Sequence, residues 1–232
     1  MKAAAIVSAF VIALAAVVVA AEEAAKPVEP FNGKDLTGWK CRSSDPARNM
    51  WKVGAATLDP NNPKAVIVAP LGHDLINSKE HSTDLYTEQE FGNVHLTCEV
   101  LVPKGANSGI YLQGRYEVQV LDSYPKDKDF SPGDMGGIYS QTAPKNAKYL
   151  KPGEWNTFDI TFEAPKFDAE GKKTANAKFV KVILNGVTIH ENVEAPKPTG
   201  GELGKEVAKG PLMLQGDHGA VAFRNIEITP MK

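Results

Sequence analysis

The chain has 232 residues and a formal net charge of -2, with 42% hydrophobic and 23% charged residues, which is the composition of an ordinary globular protein rather than a disordered or fibrous one. Its lysines and arginines are scattered among acidic residues instead of forming a basic stripe, so nucleic acid is not an expected partner. Without an N-terminal targeting segment roughly 210 residues remain, a length that suits one large domain.

The N-terminus is typical of an export signal. Lys2 supplies a positive start, residues 3–19 form an apolar stretch, and Val19-Ala20-Ala21 offers small residues for cleavage. We therefore predict a signal peptide over residues 1–21 and an exported protein, periplasmic or extracellular, with no stable membrane anchor. The alternative is an uncleaved anchor, because the apolar stretch approaches the length that spans a bilayer. The cleavage site contains no cysteine, which argues against a lipoprotein.

Residues 22–30 have the composition of a linker, and the sequence then predicts a single domain over residues 31–232. Apolar and polar residues alternate at seven places in this domain, which is the pattern of half-buried strands. The predicted strands are 94–102, 109–113, 116–121, 157–162, 180–184, 212–215 and 221–228. Turn pairs such as Gln113-Gly114 and Asn185-Gly186 separate them, and such pairs supply the tight reversal of a hairpin.

Short strands joined by tight turns predict an all-β fold of antiparallel strands. A sheet of this kind must bury one face, so we expect two stacked sheets of about five to seven strands each, an antiparallel β-sandwich of the jelly-roll type. No helical period persists for ten residues outside the signal segment. Helix is therefore expected to be minor and limited to a short turn near residues 146–150.

Polar side chains are concentrated on one face of two neighbouring predicted strands and at the edge of a third. Because successive side chains of a strand point to opposite faces, the polar residues separate from the apolar ones and are expected on an exposed face. They are Tyr111 and Gln113 in the first strand, Arg115, Glu117 and Gln119 in and beside the second, and Gln215 and His218 at the end of strand 212–215 and in the turn after it.

Glu117 is the expected centre of any chemistry on this face. Glu117, Gln119 and Asp122 are similar in spacing to the Glu-x-Asp-x-x-Glu strand of concanavalin A-like glucanases. A retaining glycosidase needs two carboxyl groups about 5 to 5.5 Å apart, whereas glutamine stands here at the middle position. Asp122 faces the other way unless a bulge intervenes. Cleavage by double displacement is therefore disfavoured.

Five segments of the chain resemble the hallmark segments of the 3-keto-disaccharide hydrolase family, long described only as a domain of unknown function. They are FNGKDLTGW (31–39), SGIYLQGRYEVQVLDSY (108–124), EWNTFDI (154–160), VILNGV (182–187) and GPLMLQGDHGAVAFRNI (210–226). The resemblance spans nearly the whole predicted domain and implies a concanavalin A-like sandwich. The insert at residues 126–129 departs from the pattern of the longest family members and could change the shape of a substrate groove beside the polar face.

The resemblance also implies a reaction, since family members with known chemistry act on 3-keto-glucosides by elimination and hydration. A saccharide or an oxidised 3-keto saccharide is then the expected partner. In this interpretation Glu117, Arg115 and His218 are the catalytic residues: Glu117 removes the C2 proton and the other two stabilise the enolate. Substrate binding then falls to four further residues, Tyr111, Gln113, Gln119 and Gln215.

The sequence requires no cofactor and predicts no metal site. Acidic residues at 122, 134 and 217 would suit calcium or a similar divalent ion, but they lack a recognisable ligand spacing. The histidines at 73, 81, 95 and 190 lack the spacing of zinc ligands. Cys41 and Cys98 could form a disulfide in an exported protein or remain two thiols, and the sequence leaves both options open, as it does the oligomeric state.

Three functions are compatible with these features. The first is an enzyme that acts on 3-keto-glycosides, supported by the polar set around Glu117 and by the family resemblance. The second is a non-catalytic carbohydrate-binding domain, which the same polar face and a lectin-like fold would also serve. The third is a structural or adhesive envelope domain, for which the sequence offers nothing specific.

Overall fold

The computed structural model describes residues 25–232, which form fourteen β-strands in two large sheets and one small one. The strands of the first sheet are β1 (Trp39–Cys41), β4 (Leu85–Phe91), β6 (Asn107–Leu112), β7 (Tyr116–Leu121) and β13 (Gly210–Leu214), in the order β1-β4-β13-β6-β7. The second sheet contains β2 (Trp51–Asp59), β3 (Asn62–Asn77), β5 (Val94–Leu101), β8 (Trp155–Glu163), β11 (Ala177–Leu184), β12 (Val187–Ala195) and β14 (Val221–Pro230), in the order β12-β11-β8-β5-β14-β3-β2. A third, two-stranded sheet pairs β9 (Lys166–Phe167) with β10 (Lys173–Ala175).

The two large sheets enclose the hydrophobic core, and every strand pair in them is antiparallel. One aromatic pair connects the layers, because Tyr116 of β7 lies 5.4 Å from Phe162 of β8. Within the second sheet, Phe162 lies 5.3 Å from Phe179 of β11. Tilted and edge-on ring pairs at such distances add to the stabilisation from burial alone. The prediction of an all-β antiparallel sandwich with about five to seven strands a sheet is confirmed.

Six of the seven predicted strands differ from the observed bounds by one to three residues at an end, and the seventh, Tyr116–Leu121, has the predicted bounds. The alternation was missed in the strands before residue 94. Strand β3 contains two prolines and a glycine, which interrupt a strand pattern. Strand β4 has three exposed residues in succession near its end. Neither strand shows a clean period of two.

The expected helical turn at residues 146–150 is wrong, because Asn146 has a positive φ of 53° and no helix forms there. Among the described residues the helical segment is instead a three-residue 3-10 helix, Pro46–Arg48. The Asp45 carboxylate caps it by accepting from the Ala47 amide at 2.9 Å. Such short capped turns carry no helical periodicity, so the hydrophobic pattern gave no signal for it.

The hairpin of β6 and β7 positions the polar face. Gln113 and Gly114 both take positive φ, 54° and 63°, which is the conformation of a tight reversal whose twist matches that of the strands. This turn fixes the register that places Tyr111 opposite Glu117 and Gly109 opposite Gln119. Side chains of opposed residues on one face approach to about 5 Å, so the register brings these four positions together.

The predicted signal peptide, residues 1–21, lies outside the described residues, as does the start of the predicted linker. Val28, inside that linker, exchanges two main-chain hydrogen bonds of 2.8 Å with Ile228 of β14. Across residues 25–232 no helix is long and apolar enough to cross a membrane.

Candidate active site

The polar residues of β6 and β7 lie on the face of the five-stranded sheet that points away from the sandwich core. Their neighbours Ile110 and Val118 point the other way and belong to the core. Strand β13 adjoins β6, with Met213 opposite Tyr111. Gln215 follows β13 and its amide donates from the main chain to the Gly109 carbonyl at 3.0 Å. The sheet therefore gathers residues from three strands onto one face.

This face is buried, which corrects the expectation of an exposed one. Tyr111 and Glu117 are both 2% exposed. Two connections cover the face and complete the free edge of β7. The first is the segment around Gly137, which accepts from the Gln119 amide at 2.9 Å, and the second is the connection between β12 and β13, residues 196–209, called here the roof loop. Thr199 of the roof loop accepts from the Glu117 amide at 2.9 Å.

Beneath these connections lies a cavity of about 180 Å³. This volume is below the 300 to 1,000 Å³ that is common for sites of drug-sized ligands, so the cavity suits a single sugar ring better than an oligosaccharide. Its lining residues come from the sheet face and from the loops around it: Asn107, Tyr111, Glu117, Gln119, Tyr139, Gly200, Gly201, Gln215 and His218.

Glu117 supplies the one carboxyl group among the described residues that line the cavity. Burial, the largest cause, raises the pKa of Glu117 to about 8, because the charged form loses its hydration. The negative charges of Asp84 and Asp217 raise it further, while interaction with the Tyr111 hydroxyl lowers it. The same burial, reinforced by Glu117, raises the pKa of Tyr111 far above its ordinary value, so the phenol keeps its proton and can donate it in a hydrogen bond.

Gly109 provides the space that the Glu117 carboxyl group occupies. A β-carbon at position 109 would lie 2.9 Å from Glu117 Cδ and 2.9 Å from Tyr111 Cε2, and it would overlap Glu117 Oε1. Gly201 plays a similar part on the opposite side of the cavity, where a β-carbon would lie 3.0 Å from the Tyr111 hydroxyl. Two glycines thus allow main chain to approach the Tyr111 and Glu117 side chains closely.

Two amide oxygens at the cavity have no partner in the protein. They are Asn107 Oδ1 and Gln215 Oε1, both buried. Buried polar atoms are nearly always hydrogen bonded, and an unpartnered one needs an explanation such as a ligand or water. The Gln215 amide nitrogen lies 3.4 Å from the Tyr111 hydroxyl, and Gln119 Oε1 accepts from the Val120 amide at 3.1 Å, which leaves the amide nitrogen of Gln119 free to donate. The cavity therefore offers both acceptors and donors to hydroxyl groups.

His218 lies at the rim, in the turn after β13. Its side chain is half exposed, and Nδ1 donates to the Asp217 carboxylate at 2.5 Å. That hydrogen bond fixes the orientation of the imidazole ring and leaves Nε2 available to a molecule in the cavity. The ring is therefore placed to exchange a proton at the boundary between the cavity and solvent.

The structure does not bring Arg115 and Gln113 to the cavity, although both were predicted as site residues. The Arg115 guanidinium donates to the carbonyls of Lys205 and Gln113 at 2.8 and 2.6 Å, and burial lowers its pKa. The Gln113 amide donates to the carbonyls of Phe91 and Ala208 at 3.3 and 3.0 Å. Both residues share the predicted face, but they lie at its turn end, where neighbouring main chain satisfies their donors.

Four lining residues were not predicted: Asn107, Tyr139, Gly200 and Gly201. Asn107 stands two residues before Gly109, so continuing the alternation of β6 backwards would have found it. Tyr139 and the two glycines lie in loops, where no periodic pattern exists. They reach the cavity because Tyr139 donates its amide to the Glu117 carbonyl at 3.1 Å and Thr199 anchors the glycines beside β7.

In the described part of the chain no group of three or more His, Cys, Asp or Glu side chains is arranged to hold a metal ion. Cys41 and Cys98 are free thiols, so of the two alternatives the structure has the unpaired one. Cys98 is buried in the core, where burial raises the pKa of its thiol to about 12 and leaves it unreactive.

An antiparallel β-sandwich with a buried carboxyl group and amides around a small cavity has the architecture of a protein that binds a small molecule. The chain belongs to the 3-keto-alpha-glucoside-1,2-lyase-like domain family, whose model matches residues 26–229. The resemblance found in the five motif segments is thereby confirmed.

Solved structures agree with this assignment. A candidate glycosyl hydrolase from Parabacteroides distasonis ATCC 8503 is 29% identical, with 88% of this chain and 84% of that chain covered and a TM-score of 0.67. A second candidate glycosyl hydrolase from the same organism shares the fold at 18% identity, with 89% and 94% covered and a TM-score of 0.62. No match is found among curated proteins.

Proposed function

We propose that this protein cleaves 3-keto-glycosides in the cavity around Glu117, by elimination followed by hydration. The observation that carries the proposal is a buried carboxyl group with its pKa raised to about 8, in a cavity that no other carboxyl group lines among the described residues. A general base works best when its pKa lies near the operating pH. The family assignment supports a substrate of this class.

The first half of the reaction needs one base. A ketone at C3 acidifies the proton on C2, and the Glu117 carboxylate takes that proton. The electrons of the C2–H bond form a C1=C2 double bond, and the C1–O bond breaks with its electron pair on the leaving oxygen. That oxygen needs a proton, for which His218 at the rim or a water molecule is suitably placed. The products are an enone and a free alcohol.

The second half runs in the opposite sense. Water adds its hydroxyl group to C1 and gives up its remaining proton to the group that protonated the leaving oxygen, His218 or water. Protonated Glu117 returns its proton to C2. The net change is hydrolysis, and Glu117 ends in its starting state. The negative charge that develops on the C3 oxygen in each half needs hydrogen-bond donors. Tyr111, which keeps its proton, and the free amide nitrogen of Gln119 fit that role.

The arrangement of acids supports elimination over double displacement. A retaining glycosidase needs a second carboxyl group about 5 to 5.5 Å from the first. The acids that influence Glu117 are engaged elsewhere: Asp84 accepts from the Gly216 amide and from Arg42, and Asp217 accepts from His218. Neither lines the cavity.

The decisive experiment supplies purified protein with 3-keto-trehalose or a 3-keto-β-glucoside, and in parallel with the parent sugars, with and without calcium or another divalent ion. We expect alcohol release from the keto substrates alone. In deuterated water the recovered 3-keto sugar should carry deuterium at C2. Glu117→Gln should lower kcat/KM by about 10²- to 10⁴-fold, the usual contribution of a general base. The matched control is Glu99→Gln, which removes a carboxyl group that pairs with Arg224 on the other sheet.

The pH dependence offers a second readout, since Glu117 acts as a base only when ionised. With its pKa at about 8, kcat/KM should rise with pH and level off above that value. Binding of glycans without turnover of either keto substrate would replace the enzyme by a non-catalytic carbohydrate-binding domain. Equal turnover by Glu117→Gln and the native protein would exclude Glu117 as the base.

Export completes the proposal. It rests on the N-terminal segment of residues 1–21, which combines a basic start, an apolar stretch and small residues. N-terminal sequencing of protein recovered from the periplasm or medium should give a start at Glu22. Recovery of the intact N-terminus in the membrane fraction would favour the uncleaved anchor instead.

A further inference from the structure

Arg42 attaches the carbonyls of the glycine-containing part of the roof loop to the sheet, between two main-chain hydrogen bonds that Thr199 and Leu203 donate to the carbonyls of Arg115 and Gly114 at 3.0 and 2.9 Å. Gly200 and Gly201 line the cavity and have positive φ of 117° and 69°, a conformation that glycine adopts without a steric penalty. Arg42 donates from Nη1 to the Gly201 carbonyl at 2.6 Å and from Nη2 to the Glu202 carbonyl at 3.2 Å. The guanidinium group therefore donates hydrogen bonds to two successive main-chain carbonyls directly beside the cavity.

Asp84 anchors this arginine and connects it to the opposite rim. Its Oδ2 accepts from Arg42 Nη1 at 3.1 Å, while Oδ1 accepts from the Gly216 amide at 3.0 Å. Gly216 precedes the turn that carries His218. The Arg42 amide also donates to the Asp84 carbonyl at 2.9 Å, next to the pairing of β1 with β4. The two side chains thus rest on paired strands and reach both loops that border the cavity.

We propose that Arg42, anchored by Asp84, is a positioning residue that holds the roof loop closed over Glu117. Its importance for catalysis rests on the proposed function, whereas its hold on the loop does not. Arginine suits the task because its planar fork can donate to the Asp84 carboxylate and to two carbonyls at once. Lysine carries the same charge but only a single nitrogen, so it cannot maintain all of these bonds.

Opening of the roof loop has a distinctive electrostatic consequence. Burial is the largest cause of the raised pKa of Glu117, so water entering beneath an opened roof should lower that pKa. Two acidic groups that influence Glu117, Asp84 and Asp217, raise its pKa, and Tyr111 lowers it. The other titratable groups that line the cavity are Tyr139 and, at the rim, His218. If removal of Arg42 acted through charge alone, the loss of a positive charge would raise the pKa of Glu117. The sign of the change therefore separates opening of the loop from a charge effect.

The first test does not depend on activity. Hydrogen exchange of peptides that cover residues 196–209 is measured in the native protein and in Arg42→Met, Arg42→Lys and the control Arg224→Met. Arg224 also pairs with a carboxylate, Glu99, and stacks on Trp155, but on the other sheet. We expect exchange in the roof loop to become at least tenfold faster in both Arg42 variants and to stay unchanged in Arg224→Met. Unchanged exchange in Arg42→Met would overturn the proposal.

The second test follows Glu117 itself by carboxyl ¹³C NMR, with the signal assigned by its absence in Glu117→Gln. The pKa should fall in Arg42→Met and also in Arg42→Lys, which keeps the charge. A pKa that stays near 8 or rises would overturn the proposal even if the variants fold normally.

Kinetics then separate the two proposals. If the native protein turns over keto-glycosides, Arg42→Met should lower kcat/KM by about 10- to 100-fold, the scale expected when reacting groups lose their alignment, and the pH at which kcat/KM levels off should shift downward. If the native protein shows no turnover, the proposed function fails, while exchange and NMR still decide whether Arg42 holds the roof loop.

Discussion

The β6–β7 hairpin carries similar polar residues at both ends of one face, yet the two ends have different surroundings. At the turn end, Arg115 and Gln113 donate to main-chain carbonyls of the roof loop and of Phe91. At the other end, Glu117 lies in the space left by Gly109 and faces a cavity of about 180 Å³. One end is a structural anchor, whereas the other leaves its polar groups available to a ligand.

The difference does not come from residue type, because each end has an ionisable group and amides on the same side of the same strands. It comes from the part of the roof loop that packs against each end. The carbonyls of residues 205 and 208 approach the turn end and accept hydrogen bonds from the Arg115 and Gln113 side chains. Where Gly200 and Gly201 approach instead, they bring little side-chain bulk and leave room. A buried polar group therefore points to a binding site only when the protein itself does not satisfy it.

The largest expected effect concerns stability and the charge of Glu117. Its pKa is about 8 in the folded protein and ordinary, near 4.5, in the unfolded chain. Between these values the folded state holds a proton that the unfolded state releases, so the contribution of Glu117 to stability is fully present below pH 4.5 and is lost as pH rises through 8. The loss is about 1.4 kcal/mol for each unit of difference in pKa.

Glu117→Gln should remove this dependence. Urea unfolding at pH 5 and pH 8.5 should show the variant gaining stability over the native protein by roughly 3 to 5 kcal/mol between the two conditions. The gain accompanies the loss of turnover, since a charge buried for catalysis is costly to the fold. A difference in unfolding free energy that does not change with pH would mean that Glu117 titrates normally, and the contrast between the two ends would disappear.

Gly109→Ala tests the space at the cavity end. The added methyl group would come closer to the Glu117 carboxyl group than β-carbons tolerate, so that side chain or the strand must move. We expect kcat/KM to fall by about 100-fold, the cost of misplacing a reacting group by roughly 1 Å. Gly92→Ala is the matched control, because its nearest neighbour would be the Ala208 carbonyl at an ordinary 3.5 Å. Equal kinetics for the two variants would show that Gly109 does not determine where the carboxyl group lies.

Arg115→Met tests the turn end. Loss of two hydrogen bonds from a buried guanidinium group should lower the free energy of unfolding by about 2 to 3 kcal/mol. The kcat/KM of the protein that remains folded should change by less than tenfold, because Arg115 does not line the cavity. Denaturant unfolding and kinetics well below the melting temperature measure the two effects. A large loss of turnover at unchanged stability would return Arg115 to the catalytic residues.

Strand alternation was sufficient to group the residues of the cavity end. It placed Tyr111, Glu117 and Gln119 on one face, and β7 has its predicted bounds, because apolar and polar residues alternate in these strands although both faces are buried. The motif segments identified the family for a different reason: five ordered matches constrain nearly the whole domain. Fold and family could therefore be predicted from local pattern and resemblance.

The sequence could not show which polar side chains of the face remain without hydrogen-bond partners in the protein. The fate of Arg115 depends on a carbonyl at residue 205, ninety residues later in the chain. The burial of the face could not be predicted either, since the roof loop has no periodic pattern and its contacts include Arg42, which no motif singled out. Contacts of loops with distant strands are tertiary, and neither propensity nor alternation encodes them.

The smallest expected effect is also the most direct test of the contrast, because both ends contain a buried amide oxygen without a partner. Asn107 Oδ1 lies at the cavity around Glu117, whereas Gln113 Oε1 lies beside an apolar gap of about 10 Å³, room for one water molecule at most. Asn107→Ala should raise the KM for a keto-glycoside by about fivefold, since one hydrogen bond contributes about 1 kcal/mol. Its stability should change little.

Gln113→Ala should have the opposite pattern, with reduced stability and an unchanged KM. It deprives the Phe91 and Ala208 carbonyls of a donor, so the melting temperature should fall while KM stays near that of the native protein. Steady-state kinetics and thermal unfolding, measured side by side, give the KM and the melting temperature of each variant. If both variants raise KM alike, Gln113 also contacts the substrate, and the site extends to the turn end of the hairpin. If neither does, the unpartnered oxygen of Asn107 is satisfied by water rather than by a sugar hydroxyl, and the substrate must be oriented by the remaining groups around Glu117.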